Sequence, residues 1–160
     1  MGDRPDYLPV ALIRNRPPRK EEYYELCMKL AIYYDLVGTV LCDARTPMIM
    51  KHFQERGCGR FLAKKPRKFQ NPNSTASNEY GQSLNKQTRP VMVSLLQSFF
   101  YMHSQKVWFI EIINEALDYD EFEDDSDNDS VDAFGLALMM VADMEQPAQN
   151  EDEIMAHNQY

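Results

Sequence analysis

The chain has 160 residues, 44% of them hydrophobic, which is enough for one domain with a packed core and argues against general disorder. No apolar run approaches the roughly 20 residues of a membrane span, and the N-terminus has no signal-peptide pattern, so we expect no membrane association. The net charge of −8 is unevenly divided. All 17 basic residues lie in 1–110, and the charged residues of 111–160 are all acidic. One part can therefore attract phosphate, whereas the other can hold cations.

The first part of the chain alternates predicted strands and helices. Apolar residues at helical spacing predict a helix over 19–35. Thr46 followed by Pro47 predicts the start of a second helix, which would run to about Arg56. Three short apolar runs are predicted strands: 8–13, 37–42 and 60–63. This order of elements is typical of an α/β domain with a partly parallel sheet.

The second part is predicted to be helical after a long polar loop at 64–89. Residues 118–130 form a predicted acidic loop, and 145–160 a polar C-terminal tail. Apolar periodicity predicts three further helices: 89–103, 108–117 and 131–144.

Three carboxylates are candidate metal ligands. Asp43 directly follows a predicted strand, and in open α/β sheets ligands bind beyond the carboxyl ends of strands. Asp129 and Asp132 are three residues apart at the start of a predicted helix, so they share one face. Carboxylate oxygens are what Mg²⁺ and Mn²⁺ prefer. A turn or cap role for Asp43, and helix capping for Asp129 and Asp132, explain the same residues without any metal.

Basic residues are concentrated between Arg60 and Arg89, where Glu79 is the single acidic residue. Such a segment can hold a DNA backbone through its phosphates, although a solvated basic surface is an equally good interpretation. The candidate DNA-binding residues are Arg60, Lys64, Lys65, Arg67, Lys68, Lys86 and Arg89.

The segment 128–134, Asn-Asp-Ser-Val-Asp-Ala-Phe, resembles the D-D-x-V-D-A motif near the end of the large terminase subunits of tailed phages. A helix rich in small residues follows it, as in that family. Upstream segments occur in the family's order over about residues 5–144: Arg14-Asn15-Arg16-Pro17, Glu22-Tyr23-Tyr24, the predicted strand ending at Asp43, Lys64-Lys65-Pro66, Tyr80-Gly81, and Phe109 to Tyr119.

This resemblance implies an RNase H-like mixed sheet flanked by helices, forming a partial nuclease domain over 1–144. It implies a DNA endonuclease that uses two divalent ions, Mg²⁺ or Mn²⁺, to cut concatemeric viral DNA during genome packaging. Asp43, Asp129 and Asp132 would then be the catalytic residues, with Asp43 and Asp129 as metal ligands and Asp132 as a ligand or a residue that orients the ligands. The implied partners are double-stranded DNA, other terminase parts and the portal, and the implied location is the cytoplasm of an infected bacterium.

The sequence also departs from the family. Asn128 stands where the motif has the first residue of an acidic pair, with Asp125 and Asp127 nearby as possible substitutes. Nothing corresponds to the first strands of the fold or to their catalytic aspartate, and no P-loop motif is present. The alternative hypothesis is therefore a non-catalytic DNA- or protein-binding module derived from a truncated or split terminase.

Overall fold

The computed structural model describes residues 7–15, 17–70, 80–119 and 128–145. Within these ranges 60% of the residues are helical, 3% make bridge pairs, and no sheet forms. Short 3-10 helices lie at Gly59–Phe61, Arg67–Phe69 and Ser104–Lys106. The α-helices of the described part are α1 (Lys20–Tyr33), α2 (Pro47–Glu55), α3 (Arg89–His103), α4 (Ile110–Leu117) and α5 (Asp129–Glu145).

The helices predicted from apolar periodicity are confirmed. Proline at the start of α2 and α3 fits the first turn, where a missing N–H costs nothing. The chain leaves α2 through Gly57, whose φ of 71° is a conformation that favours glycine. Helix α5 begins at Asp129, two residues before the predicted boundary, so both candidate carboxylates of the motif lie in its first turn.

The predicted RNase H-like mixed sheet is wrong. Two of the predicted strands, 37–42 and 60–63, meet only through a parallel bridge between Val40 and Leu62. An antiparallel bridge between Lys64 and Tyr80 is the remaining pairing in the described residues. Asp43 therefore follows an extended segment and not a strand of a sheet.

Local geometry explains why the apolar runs form no ladder. Gly38 has a φ of 69°, and the N–H of Thr39 donates to the carbonyl of Leu36, so the chain turns where a strand was predicted. Gly59–Phe61 winds into a 3-10 helix instead of extending. In 8–13, Pro9 lacks an N–H donor, and Leu8 and Leu12 pack on the core without pairing.

The apolar side chains form two clusters. The larger lies among α3, α4 and α5 and includes Phe134, whose ring meets Phe99 edge to face with centroids 4.9 Å apart. The smaller lies among α1, α2 and the extended segment, around the fully buried Phe53. Edge-to-face aromatic pairing helps to stabilise the larger cluster, and complete burial of a large side chain helps to stabilise the smaller one.

Non-helical backbone joins the two clusters at 40–43, 62–64 and 80–82. The N–H of Val40 donates to the carbonyl of Phe61 at 3.0 Å, and that of Gln82 donates to the carbonyl of Cys42 at 2.9 Å. Gly81, with a φ of 80°, lies so close that a Cβ there would be 2.7 Å from the Cys42 carbonyl oxygen. This close approach fixes the segment that leads to Asp43.

No helix in the described ranges is both long enough and apolar enough to cross a membrane.

Close packing of α5 on α3 makes Gly135 sensitive to any added side chain. A Cβ at Gly135 would lie 2.5 Å from Sδ of Met92, which is fully buried, and 3.3 Å from Cδ1 of Leu96. We expect Gly135→Val to lower the free energy of unfolding by about 2 kcal/mol, because overpacking forces neighbours off their rotamers. The measurement is urea unfolding.

The matched control is Ala137→Val, at an exposed position of α5. It costs only the weaker helix propensity of valine, about 0.5 kcal/mol. Equal losses in the two variants would contradict the packing explanation.

Candidate functional site

Asp43 lies at the end of an extended segment and is paired with Arg45. The Arg45 backbone N–H donates to Oδ1 of Asp43 at 2.9 Å, and its Nε donates to Oδ2 at 3.1 Å. The Asp43 side chain is 24% exposed. Thr46 occupies the predicted N-cap position of α2, but its hydroxyl donates to the Asp43 carbonyl and does not cap the helix. The carboxylate is therefore reachable from solvent and held by one guanidinium.

Asp132 lies in a hydrogen-bonded chain with Tyr119, which follows α4, and Arg89, at the start of α3. The Tyr119 hydroxyl donates to Oδ1 of Asp132 at 2.9 Å, and Arg89 donates to the Tyr119 oxygen at 3.2 Å. Burial, and then the charge of Asp132, raises the pKa of Tyr119 to about 12. Tyr119 therefore stays protonated at neutral pH and keeps its donor role.

Asp43 and Asp132 are within electrostatic reach of each other, although 88 other residues separate them in the chain. Leu41 packs against the cluster that contains Val131, the residue before Asp132. The charge of Asp43 contributes to raising the pKa of Asp132, and Arg45 acts on Asp132 in the opposite sense. The two carboxylates thus lie at the junction of the two clusters, close enough to interact.

Asp129 is exposed in the first turn of α5. Its charge contributes to raising the pKa of Tyr23 in α1, which reaches about 12 mainly because Tyr23 is buried. Asp129 is therefore within electrostatic reach of α1, as Asp132 is of Asp43. Asp125 and Asp127 lie outside the described residues.

In the part of the chain that the structure describes, no three His, Cys, Asp or Glu side chains are arranged to hold a metal ion. A pair of carboxylates is still a reasonable cation site, because Mg²⁺ keeps several waters and often uses one or two carboxylates with substrate phosphates. The donor atoms of Asp43 and Asp132 fit that chemistry. Arg45 and Tyr119 would compete with the ion for them.

A buried carboxylate, Glu115, holds the first turn of α5 in place. Its Oε2 accepts from the backbone N–H groups of Ser130 at 2.7 Å and Val131 at 3.0 Å. Its Oε1 accepts from the Ser130 hydroxyl at 2.8 Å and pairs with Arg14 at 3.2 Å. Glu115 satisfies helix donors that would otherwise be orphaned and complements the helix dipole. It thereby fixes the turn that carries Asp129 and precedes Asp132.

The seven candidate DNA-binding residues lie in several different environments. Arg89 is only 7% exposed and directed at Tyr119, whereas Lys86 is exposed just before α3. Lys68 is exposed beside a small cavity next to Leu95. Four of the seven line one groove of about 480 Å³ beside the end of α5: Arg60, Lys64, Lys65 and Arg67.

Three residues of the site were not predicted from the sequence as functional: Arg45, Glu115 and Tyr119. Glu115 had a usable signal, because it is three residues after Ile112 on the buried face of α4, and a charge on an apolar face needs a partner. Tyr119 had none, since its partners depend on long-range folding, and Arg45, only two residues from Asp43, belonged to no recognised motif.

Replacing Asp132 should change how stability depends on pH. Burial is the main cause that raises the pKa of this carboxyl above 3.8. A carboxyl with a pKa raised by folding contributes stability below its unfolded pKa and loses it as pH rises through the folded pKa. In metal-free buffer, Asp132→Asn should therefore gain Tm relative to the native chain as pH rises above about 4.

Thermal unfolding monitored at several pH values measures this difference. Asp118→Asn, at an exposed carboxylate after α4, is the control and should show no such trend. A Tm difference for Asp132→Asn that shrinks as pH rises would contradict the assigned burial effect.

Comparison of the chain with protein-family models, with curated proteins and with solved structures gave no match in any of the three.

Proposed function

We propose that the chain binds DNA and cleaves its phosphodiester backbone with a divalent cation held between Asp43 and Asp132. The observation that carries the proposal is that the charge of Asp43 acts on Asp132, while Leu41 packs against the cluster that contains Val131. The resemblance to terminase nuclease domains implies metal-ligand roles for Asp43 and Asp129, with Asp132 as a ligand or a supporting residue, and it supplies the substrate class. The proposal does not depend on an RNase H-like sheet.

Mg²⁺ or Mn²⁺ bound there would activate a water and stabilise the leaving oxygen. Asp43 and Asp132 would supply oxygen ligands. An approaching cation favours the ionised form of Asp132 and so offsets the cost of burying its charge. Arg45 would move from Asp43 to make room, and its guanidinium would then be free to pair with a phosphate oxygen. Tyr119 would keep Asp132 oriented through its hydroxyl, and Asp129 is proposed as an additional ligand at the edge of the site.

The basic residues along 60–89 would hold the DNA backbone. Arg60, Lys64, Lys65 and Arg67 share a groove beside the last turns of α5, whereas Asp132 is near the start of that helix. From Asp132 to Asp143 the helix rises about 16 Å, since each residue adds about 1.5 Å. Phosphates held in the groove would thus lie several nucleotides from the bond that is cut.

Within this proposal the partners are double-stranded DNA, other terminase parts and the portal, in the cytoplasm of an infected bacterium. The second candidate function is a non-catalytic DNA- or protein-binding module. The observation in its favour is that Arg45 already neutralises Asp43 and that the described residues hold no three-ligand metal group.

Nicking of supercoiled plasmid DNA tests the proposal. The chain is incubated with Mn²⁺, with Mg²⁺ and with chelator, each alone and with an upstream terminase polypeptide that could supply a further carboxylate. Cleavage that needs the metal supports the proposed function. Binding of plasmid with no cleavage in any mixture would support the non-catalytic module instead.

A further inference from the structure

The groove beside the end of α5 combines positive charge with an apolar side. Lys64 and Arg60 are exposed, and Lys65 is half-buried. Met140 and Met144 from α5 and Tyr80 from the extended segment line the same space. A surface built for a duplex backbone alone would need the cations but would make no use of apolar neighbours.

Among the described residues that line the groove, Asp143 is the one acidic side chain, and Arg67 holds it. The backbone N–H of Arg67 donates to Oδ1 of Asp143 at 2.7 Å, and its guanidinium donates to the Asp143 carbonyl near the end of α5. The Arg67 Nε also pairs with Oδ2 of Asp143 at 3.7 Å, so Arg67 joins the groove wall to the helix end, where a cation is favourable. Arg60, Lys64 and Lys65 add three further positive charges to the described lining.

From this juxtaposition we propose that the groove binds a single-stranded stretch of nucleic acid. Its backbone phosphates would lie along Arg60, Lys64 and Lys65, and an unstacked base would lie against Tyr80 and Met144. Grooves of this kind bind single strands by tracking phosphates with cations and stacking bases on aromatic side chains. In a duplex the bases are already stacked and paired, so they cannot reach the apolar side.

The size of the groove fits this occupant. Its volume of about 480 Å³ lies in the range of sites that bury a small organic ligand, which is enough for one nucleotide unit of a strand. The inference rests on the proposed function for its substrate class, because a single strand would arise as duplex ends fray or separate near a cut. It does not depend on cleavage.

Fluorescence polarisation with a labelled oligothymidine and a duplex of equal length tests the inference. The full chain is used in chelator at fixed low salt, so no cleavage can occur and failure of the nuclease proposal cannot affect the result. We expect tighter binding of the single strand than of the duplex. Lys64→Ala should weaken both by about fivefold, because each lost phosphate contact costs affinity for any sequence. Lys29→Ala, at an exposed lysine of α1, is the matched control and should leave both unchanged.

Two variants separate stacking from charge. Tyr80→Leu should weaken single-strand binding by about fivefold or more and leave duplex binding within about twofold. Met144→Glu, at a side chain that is 55% exposed, is expected to fold normally and to weaken single-strand binding by about tenfold. Equal affinity for the two forms, or single-strand binding unaffected by Met144→Glu, would overturn the inference whether or not the chain nicks plasmid DNA.

Discussion

Asp43→Asn and Asp132→Asn are each expected to lower metal-dependent DNA cleavage by at least about 100-fold, because loss of a direct ligand exceeds the loss seen for supporting residues. Each substitution removes one of the two carboxylates proposed to hold the cation and leaves the side-chain volume nearly unchanged. The measurement is the initial rate of plasmid nicking over a range of Mn²⁺ concentrations. Loss of metal binding should also raise the Mn²⁺ concentration needed for half-maximal rate.

Asp129→Asn provides an internal comparison on the same helix. Because Asp129 is exposed and its charge acts on Tyr23 of α1, we assign it a supporting role, and its replacement should cost about tenfold. Asp118→Asn, an exposed carboxylate outside the site, should leave the rate unchanged. A larger loss for Asp129→Asn than for Asp132→Asn would contradict the assignment of the central pair.

The largest expected effect on stability is at Glu115. Glu115→Gln should lower the free energy of unfolding by about 3 kcal/mol, because buried donors at the start of α5 lose their charged acceptor. For a chain of this size that corresponds to a fall in Tm of roughly 10 °C. Chemical denaturation and thermal unfolding both measure the loss.

Two controls show whether the loss comes from the helix start. Glu111→Gln, on the same helix α4, should cost less than about 1 kcal/mol, since it affects only the helix dipole. Arg14→Ala should likewise cost less than about 1 kcal/mol, because the Arg14 side chain is 54% exposed and its ion pair is screened by solvent. A Glu115→Gln variant as stable as Glu111→Gln would show that Glu115 does not hold α5.

Apolar periodicity was sufficient to predict the helices, because each helix presents a repeating apolar stripe that depends on local spacing alone. Helix α3 begins and ends at the predicted residues, and α2 begins at Pro47 as its Thr-Pro start predicts. The strand predictions were wrong because local spacing does not determine whether a strand forms. A short apolar run such as 37–42 is equally compatible with a strand, a buried turn or an extended connection, and long-range pairing decides among them.

The candidate site was predictable only in part. Asp43 was identified because it directly follows an apolar run. Asp132 was identified because it lies at a helix start whose sequence resembles a known motif. Their partners were not. The pairing of Arg45 with Asp43 is a local contact between residues two apart that no sequence motif marked, whereas the chain from Arg89 through Tyr119 to Asp132 depends on contacts between separate elements. The basic segment was predicted to form one surface, but Arg89 is buried and four of the other cations line one groove.

A crystal soaked in Mn²⁺ and measured for anomalous scattering tests the cation site most directly. We expect a Mn²⁺ peak within about 2.5 Å of an oxygen from Asp43 and an oxygen from Asp132, with the Arg45 guanidinium turned away from Asp43. Asp43 and Asp132 carboxylates that point away from each other, or Mn²⁺ bound only elsewhere on the molecule, would contradict the proposed cation site.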